Sequence, residues 1–228
     1  MAKLSVIIPT LNALPHFQRT AAVIMCAKGI GLIQELIIAD GGSTDGTREA
    51  AINIGAVLVD SKVGRGSQLS AGINISKGEW LLILHADTTL GFDWPEAVQR
   101  FIKLPENRMR AAYFQFALDD KNANARRIER MVAWRSRVLG LPYGDQGLLL
   151  SRHMYDKIGG YPAIPLMEDV VIIRRIGRSR LHEFNSKAVT SAERYRRDGY
   201  WLRPCLNILC LALFCLGIST DLIRKIYR

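Results

Sequence analysis

The chain has 228 residues, of which 49% are hydrophobic and 23% are charged, and its 31 basic against 21 acidic residues give a net charge of +10. This length and composition are typical of one globular α/β domain and argue against a second independent domain. The positive charge predicts an anionic partner, such as nucleic acid, an acidic membrane surface or a phosphorylated small molecule.

The four cysteines, at positions 26, 205, 210 and 215, predict neither a zinc site nor a disulfide framework. None belongs to a Cys-x-x-Cys pair, and the last three lie in an apolar stretch where they are expected to pack as small hydrophobic residues. The N-terminal residues lack a signal-peptide pattern, because Pro9 and Asn12 interrupt the first apolar run. We therefore expect a cytoplasmic protein with reduced thiols.

Short apolar runs alternate with helical patterns through the first half of the chain. Buried strands are predicted at residues 4–8, 35–39, 56–60 and 80–84. Helices are predicted at residues 15–28, 47–54 and 67–76 and from Asp93 onward, with Asp45 and Asp93 as N-caps. This alternation predicts a parallel sheet with right-handed crossovers, an α/β architecture that is Rossmann-like.

The second half of the chain is less regular. A strand is predicted at residues 111–118, helices at 123–139 and 168–176, and mixed strand and loop from there to Thr190, whereas residues 147–150 are only noted as short and apolar. The apolar stretch at residues 205–218 is 14 residues long, whereas a membrane-spanning helix needs about 20. It is therefore predicted to be a core helix, an interfacial helix or a dimer surface.

The sequence His85-Ala86-Asp87 follows the predicted strand at residues 80–84. Strand alternation would put His85 and Asp87 on the same side, at the carboxyl end of a buried strand, where open α/β sheets bind ligands. An aspartate there suits Mg²⁺ or Mn²⁺ that bridges a diphosphate. The alternative is a polar strand end without a metal.

Two glycine-containing segments follow other predicted elements. Asp40 stands just past a strand, and the following Gly41 and Gly42 allow a tight turn, so its carboxylate could accept from a nucleobase N–H or a ribose hydroxyl. The segment around Arg65 has neither a complete dinucleotide fingerprint nor a P-loop. Arg65 is therefore either an anion contact at a helix start or a solvated surface residue.

Adjacent acids, Glu168 and Asp169, precede an apolar helical stretch. Acidic residues at a helix start interact favourably with its dipole, which is one explanation of the pair. The other is a general base that takes a proton from an attacking hydroxyl. The local pattern favours neither.

Taken in chain order, the motifs of this sequence resemble those of family 2 inverting glycosyltransferases with a GT-A fold. The matching segments are SVIIPTLN (5–12), ELIIADGGSTDGT (35–47), GRGSQLSAGINISKGEWLLILHADT (64–88), GDQGLLLSR (144–152), IGGYP (158–162) and MED (167–169). The resemblance implies a mixed, mostly parallel sheet flanked by helices, with a C-terminal apolar and basic helical segment. It implies one domain, with a nucleotide-binding half (1–90), an acceptor and catalytic half (91–192) and a helical extension (193–228).

The resemblance also implies roles for individual residues and a reaction. Residues expected at the nucleotide-sugar are Pro9, Thr10, Asn12, Asp40 (on the base), Gly42, Arg65, His85, Ala86 and Asp87. Asp87 is the expected ligand of Mg²⁺ or Mn²⁺, Asp169 the expected catalytic base with Glu168 beside it, and Asp145 and Gln146 are expected to face the sugar or acceptor. A sugar would pass from a UDP- or GDP-linked donor to a small-molecule or lipid-linked acceptor, with inversion.

Two positions depart from the family pattern. His85 replaces the first aspartate of the Asp-x-Asp motif, and Gly41 stands where many relatives carry a second aspartate. Together with the GRGSQ segment and the basic C-terminus, the His-Ala-Asp variant resembles a compact bacterial subfamily that is associated with arsenosugar biosynthesis. A catalytically weak homologue that binds nucleotide-sugar is the alternative function.

Basic residues flank the apolar stretch within residues 194–228. Arg194 or Arg197 is expected to reach the diphosphate from this side. The segment also suits peripheral contact with the inner face of a membrane, packing against the domain, or a homodimer. A basic membrane-surface protein is thus a further alternative, whereas no nucleic-acid partner is expected because no recognised binding motif is present.

Overall fold

The computed structural model describes residues 3–227, which form a mixed eight-stranded sheet with helices packed on both faces. The strands are β1 (Leu4–Thr10), β2 (Ile33–Asp40), β3 (Val57–Asp60), β4 (Trp80–Ile83), β5 (Thr88–Leu90), β6 (Ala111–Leu118), β7 (Leu148–Ser151) and β8 (Leu181–Thr190). The helices are α1 (Leu14–Lys28), α2 (Thr47–Asn53), α3 (Arg65–Ile75), α4 (Trp94–Ile102), α5 (Ala123–Val138), α6 (Arg152–Lys157), α7 (Glu168–Ile176), α8 (Glu193–Asp198), α9 (Leu202–Cys215) and α10 (Thr220–Tyr227).

The strand order is β3-β2-β1-β4-β7-β6-β8-β5. β1 lies parallel between β2 and β4, and β3 extends this half of the sheet. β7 is antiparallel to β4 and β6, whereas β8 is parallel to β6 and antiparallel to β5. The predicted α/β architecture with a mostly parallel sheet is therefore confirmed, and the stretch predicted as mixed strand and loop contains the ten-residue strand β8.

Two apolar layers cover the sheet, one on each face, because side chains alternate along a strand. On β1, Val6 and Ile8 pack in the layer that contains Phe17 of α1, whereas Ile7 packs in the layer that contains Leu69 of α3. Burial of both faces explains why the strands appear in the sequence as continuous apolar runs.

The C-terminal helices pack beside α7 through one side only. Cys210 and Ile223 are fully buried against Met167 and Val170. Other apolar side chains of this region stay in solvent, and Leu216 is 78% exposed. Within residues 3–227, no helix combines the length and the apolar character needed to cross a membrane.

Of the two predicted helix caps, Asp93 is confirmed in position and Asp45 is not the N-cap residue. The N-cap of α2 is Gly46, and Asp45 instead accepts hydrogen bonds from the amides of Thr47 and Leu14, each at 3.0 Å, so it ties the starts of α2 and α1 together. Asp93 does stand at the N-cap of α4, but its carboxylate accepts from the Ser186 hydroxyl at 2.8 Å. The Asp93 carboxylate therefore accepts from a residue that is distant in sequence, whereas an N-cap side chain usually accepts from a backbone amide of its own helix.

Candidate active site

Two adjoining cavities open at the sheet edge where β1 and β4 end. Four side chains line both cavities: Arg65, His85, Asp87 and Arg194. We call the first the acidic cavity, after the carboxylates of Asp87, Asp145, Glu168 and Asp169 that line it. We call the second the loop cavity, because the loop after β1 forms part of its wall. Carboxyl ends of parallel strands are the usual ligand-binding edge of such sheets.

Three residues predicted to lie by a nucleotide, Pro9, Thr10 and Asn12, line the loop cavity. Asn12 has a positive φ of 50° and is held by two hydrogen bonds to the loop after β2. Its amide donates to the Ser43 hydroxyl at 2.9 Å, and its side-chain oxygen accepts from the Thr44 amide at 2.8 Å. The loops after β1 and β2 therefore form one fixed wall.

Asp40 does not face either cavity, contrary to the role expected for it on the base. Its side chain is fully buried and accepts hydrogen bonds from the Thr10 hydroxyl, from the amide and hydroxyl of Ser43, from the Gly42 amide and from Arg48. Burial alone would raise the pKa of Asp40, but the hydrogen bonds lower it, so the carboxylate is ionised. Asp40 thus organises the loop from within, and neither Asp40 nor the exposed Gly42 lines the acidic cavity or the loop cavity.

The segment from His85 to Asp87 is a turn, because β4 already ends at Ile83. The Thr88 amide donates to the His85 carbonyl at 3.2 Å, and the buried Thr20 hydroxyl donates to the Ala86 carbonyl at 2.9 Å. His85 and Asp87 face the same space as expected, but a turn places them there instead of strand alternation.

The side chains at this turn differ in charge. Burial alone would raise the pKa of Asp87, but His85, Arg194 and Arg65 lower it below its usual value. Burial and the nearby Arg65 lower the pKa of His85 to about 4. At neutral pH the turn therefore presents an ionised carboxylate beside a neutral imidazole.

A carboxylate and a neutral imidazole are donors that suit Mn²⁺, and the carboxylate also suits Mg²⁺. Among residues 3–227, however, no three His, Cys, Asp or Glu side chains are grouped so that they could hold a metal ion. Asp87 and His85 would therefore supply only part of a coordination shell. These residues fit a metal whose remaining ligands are water and substrate phosphate oxygens.

Glu168 and Asp169 begin α7 in different surroundings. Glu168 is only 1% exposed, its Oε2 has no hydrogen-bond partner among the described residues, and burial together with Asp169 raises its pKa to about 7. Asp169 is partly exposed, and its Oδ2 accepts from the Gly144 amide at 3.0 Å. Of the two acids, Asp169 is thus the one that a ligand reaches more readily.

The two residues expected to face the sugar or acceptor have separate positions. Gln146 is only 1% exposed and points into the core, where it accepts from the Ser136 hydroxyl at 2.9 Å and donates to the Phe114 carbonyl at 3.2 Å. Gln146 therefore lines neither cavity, because its amide is used by these partners, and its expected contact with sugar or acceptor stays a prediction. Asp145 does line the acidic cavity, and burial raises its pKa to about 6.

Arg65 begins α3, two residues earlier than predicted. The preceding Gly64 has a φ of 137°, and a Cβ at Gly66 would clash with the carbonyl oxygen of Pro162. The two glycines thus serve a backbone conformation and a close approach, while Arg65 itself lines both cavities. Of the two alternatives for Arg65, the structure therefore favours the anion contact at a helix start.

The C-terminal region contributes side chains that sequence reasoning located only in part. Arg194 lines both cavities, whereas Arg197 is exposed and pairs with Asp198 at 2.7 Å. Arg203, which the sequence analysis missed, is 8% exposed, lines the acidic cavity and places its guanidinium 4.3 Å from the centre of the Tyr227 ring. The available signal was an arginine in an apolar helix, because a buried charge needs partners.

Comparison with known proteins identifies a matching family and relatives that are similar in sequence. Residues 5–162 match the family model that is described as "Glycosyl transferase family 2". A PGL/p-HBAD biosynthesis glycosyltransferase from Mycobacterium bovis is 36% identical over 96 residues, which are 38% of this chain and 36% of that protein. A protein of the same description from Mycobacterium tuberculosis matches equally. The matched region therefore spans about a third of the length of these curated relatives.

Solved structures share the architecture at low identity. A mannosyltransferase from Pyrobaculum calidifontis, in complex with GDP-Man and Mn²⁺, has a TM-score of 0.65 at 17% identity and covers 90% of this chain and 60% of that one. Glucosyl-3-phosphoglycerate synthase from Mycobacterium tuberculosis, in complex with Mn²⁺, UDP and glucosyl-3-phosphoglycerate, has a TM-score of 0.56 at 18% identity and covers 83% and 70%. At these identities the likeness is one of fold. Since the family profile matches more than half of the chain and the sheet has the GT-A arrangement, this chain belongs to glycosyl transferase family 2.

Proposed function

We propose that this protein transfers a sugar from a UDP- or GDP-linked donor to an acceptor hydroxyl, with inversion at the anomeric carbon. The observation that carries the proposal is the shared cavity of Asp87 and Asp169, with the cations Arg65 and Arg194 beside them. A carboxylate for metal and diphosphate and a second carboxylate for proton transfer are the two groups that this reaction needs.

The donor would occupy the loop cavity, with its diphosphate where that cavity meets the acidic cavity. Pro9, Thr10 and Asn12 line the nucleotide end, and Arg65 and Arg194 reach both cavities. The two guanidiniums offset the negative charge of a diphosphate and of the leaving nucleotide. Solved structures of similar fold hold UDP or GDP-Man together with Mn²⁺, which supports this class of donor.

A divalent cation, Mn²⁺ or Mg²⁺, would be held by Asp87, with His85 as a neighbouring donor. When bound, such an ion supplies positive charge that stabilises the leaving diphosphate. His85 orients its ring beside Gly144, where any Cβ would clash with the imidazole. The glycine thus fixes how closely the His85 ring approaches the backbone that also donates to Asp169.

Asp169 would act as the catalytic base. It accepts the proton of the acceptor hydroxyl while the acceptor oxygen bonds to the anomeric carbon and the bond from that carbon to the diphosphate oxygen breaks. The hydrogen bond from the Gly144 amide holds its carboxylate on the acidic cavity. Glu168 lies beside it but is buried, so it would not contact the acceptor.

The acceptor is a separate proposal. The resemblance to the arsenosugar-associated subfamily suggests an arsenic-containing small molecule, while one solved structure of similar fold holds glucosyl-3-phosphoglycerate. Purified protein offered nucleotide-sugars and arsenic-containing acceptors should form a glycosylated arsenical. Glycosylation of other acceptors without any arsenical product would contradict this choice.

Two measurements test the proposed function. Thermal unfolding should shift upward with one nucleoside diphosphate in the presence of Mn²⁺ and lose that shift with EDTA, because a ligand of the native state stabilises it by mass action. Turnover of the matching nucleotide-sugar should fall by about 10²- to 10⁴-fold in Asp169→Asn, the usual contribution of a general base. The control is Asp156→Asn, an exposed carboxylate outside both cavities. Donor binding without turnover above Asp169→Asn would instead favour a catalytically weak homologue.

A further inference from the structure

A third cavity lies between α5 and α9, and its lining is mostly apolar but includes Arg127, Arg130 and Arg135. Its volume is about 650 Å³, within the range of roughly 300–1,000 Å³ that is typical of sites for small ligands. The apolar lining comes mainly from α5, from the residue that follows it and from α9: Ile128, Met131, Trp134, Leu139, Ile208 and Leu211. We call it the α5–α9 groove.

The groove is continuous with the acidic cavity. Tyr143, Asp145, Tyr195 and Asn207 line both. The guanidinium of Arg135 stacks 3.5 Å from the centre of the Tyr143 ring and so stiffens this wall. A ligand that fills the groove therefore ends at the cavity that contains Asp169.

The junction between the groove and the acidic cavity presents hydrogen-bond acceptors. The Oδ1 atoms of Asp145 and Asn207 are both buried and have no partner among the described residues. Buried polar atoms are costly unless they are hydrogen-bonded, so the junction requires a donor. A hydroxyl supplies one, whereas a carboxylate or phosphate would bring negative charge toward Asp145. Three arginines, Arg127, Arg130 and Arg135, also line the groove, so the comparison of an alcohol with an anion below is the decisive test of the end group.

We propose that the α5–α9 groove binds the apolar body of an alcohol, whose hydroxyl lies at the junction and receives the sugar. Before transfer the hydroxyl donates its one proton to Asp145, and for transfer it turns this proton to Asp169, the proposed base. This inference rests on the proposed sugar transfer, and it names an acceptor class that competes with the arsenical suggested by the resemblance. The exposed apolar surface of α5, where Trp134 is 58% exposed, is covered when that body is in place.

Binding of a brominated alcohol tests the groove without donor or metal. Bromine quenches tryptophan fluorescence at short range, and Trp134 lines the groove whereas Trp201 does not. We expect 8-bromooctan-1-ol to quench in a saturable manner, with quenching lost in Trp134→Phe and kept in Trp201→Phe. Each methylene added between 4-bromobutan-1-ol and 8-bromooctan-1-ol should tighten binding about three- to fourfold while the groove fills.

The end group tests the junction. We expect 8-bromooctan-1-ol to bind at least about tenfold more tightly than 8-bromooctanoate. The carboxylate cannot donate a hydrogen bond to Asp145 and is repelled by its charge, and the loss of one such hydrogen bond weakens binding by about this factor. Equal or tighter binding of the carboxylate would overturn the proposal, since it would assign the groove to anions. Absence of saturable quenching by the alcohol would overturn it as well.

A matched pair on α9 separates the groove from a generally apolar surface. Ile208 lines the groove and is 58% exposed, whereas its neighbour Leu209 is 48% exposed and lies outside it. Ile208→Glu should weaken binding of 8-bromooctan-1-ol at least about tenfold, while Leu209→Glu leaves it unchanged. Equal losses in both variants would indicate a membrane-facing or self-associating surface and overturn the proposal.

Asp169→Asn distinguishes this inference from the proposed function. The variant should bind 8-bromooctan-1-ol as the unaltered protein does, although it loses transfer. Failure of sugar transfer with intact alcohol binding would reject the catalytic proposal but not the ligand of the groove. Donor-dependent transfer to water-soluble acceptors only, with no alcohol binding, would reject the groove and leave the catalytic proposal standing.

Discussion

The loops after β1 and β2 and the helices α8 to α10 border the same pair of cavities, but different interactions hold them. On the loop side, every oxygen of the buried Asp40 carboxylate accepts hydrogen bonds, and the Gln68 amide donates to the carbonyls of Thr10 and Ala39 at 2.6 and 3.0 Å. These contacts join the ends of β1 and β2 into one buried network.

On the C-terminal side, the contacts are partly exposed and apolar packing covers only one side. Asp198 pairs with Arg197 at 2.7 Å and with Arg203 at 3.4 Å, and the Arg197 side chain is 71% exposed. Buried networks cost several kcal/mol to break, whereas exposed ion pairs contribute little. We therefore expect the stability of the site to come chiefly from the loop side.

The largest difference between the two regions should appear at Asp40. Asp40→Asn keeps the shape but places a donor among the donors of Thr10, Ser43 and Gly42, so we expect a loss of about 3–5 kcal/mol in the free energy of unfolding. Urea denaturation measures it.

Asp60→Asn is the matched control for Asp40, because Asp60 pairs with the same Arg48 but its side chain is 78% exposed. Its loss should stay below about 1 kcal/mol. Equal losses in the two variants would show that the loop network does not carry the stability we assign to it.

The next largest effect depends on pH and concerns Glu168, between the two regions. Its pKa is about 7 in the folded protein against an ordinary value of 4.5, so the folded state binds more protons between these values. The stability that this proton contributes is complete below about pH 4.5 and is lost as the pH rises through about 7. Glu168→Gln removes the titration, and its stability relative to the unaltered protein should rise by about 2.5 kcal/mol from pH 5 to pH 8.

Denaturation curves at these two pH values, with the exposed Glu106→Gln as control, measure the effect of Glu168. The control should show no comparable change. A difference between Glu168→Gln and the unaltered protein that is the same at both pH values would contradict the raised pKa.

A smaller effect is expected at Arg203 on the C-terminal side. Arg203→Met removes a contact with the Tyr227 ring and an ion pair, but Asp198 keeps Arg197, so the loss should be about 1–2 kcal/mol. The exposed Arg197→Met is the control, with a loss below about 0.5 kcal/mol. If the Arg203 variant lost as much as the Asp40 variant, the two regions would be equally fixed and the comparison would fail.

The smallest effect is expected at the solvent side of the last helices. Leu216, 78% exposed, should tolerate Leu216→Gln with a change within about 0.5 kcal/mol in thermal or urea unfolding. A loss above about 1 kcal/mol that depends on protein concentration would mean that another surface covers this side, as in the predicted homodimer.

Local sequence was sufficient to predict a feature wherever that feature depends on one strand or helix and the residues at its ends. The apolar run at residues 80–84 predicted β4, and the acids at positions 168 and 169 were correctly placed at a helix start. His85 and Asp87 were correctly expected to face one space, although the turn that places them depends on hydrogen bonds to Thr20 that the local pattern does not contain.

The sequence by itself determined the strands and helices from β1 to β4 and the family, because these depend on periodicity and on motifs within single segments. Tertiary structure decided which polar side chains reach the cavities. Asp40 accepts a hydrogen bond from Thr10, 30 residues away in sequence, and Gln146 is hydrogen-bonded to Ser136 and Phe114. Arg203, in contrast, lines the acidic cavity. The physical reason is that a buried polar group must find its partners wherever the fold brings them, and those partners come from other segments of the chain.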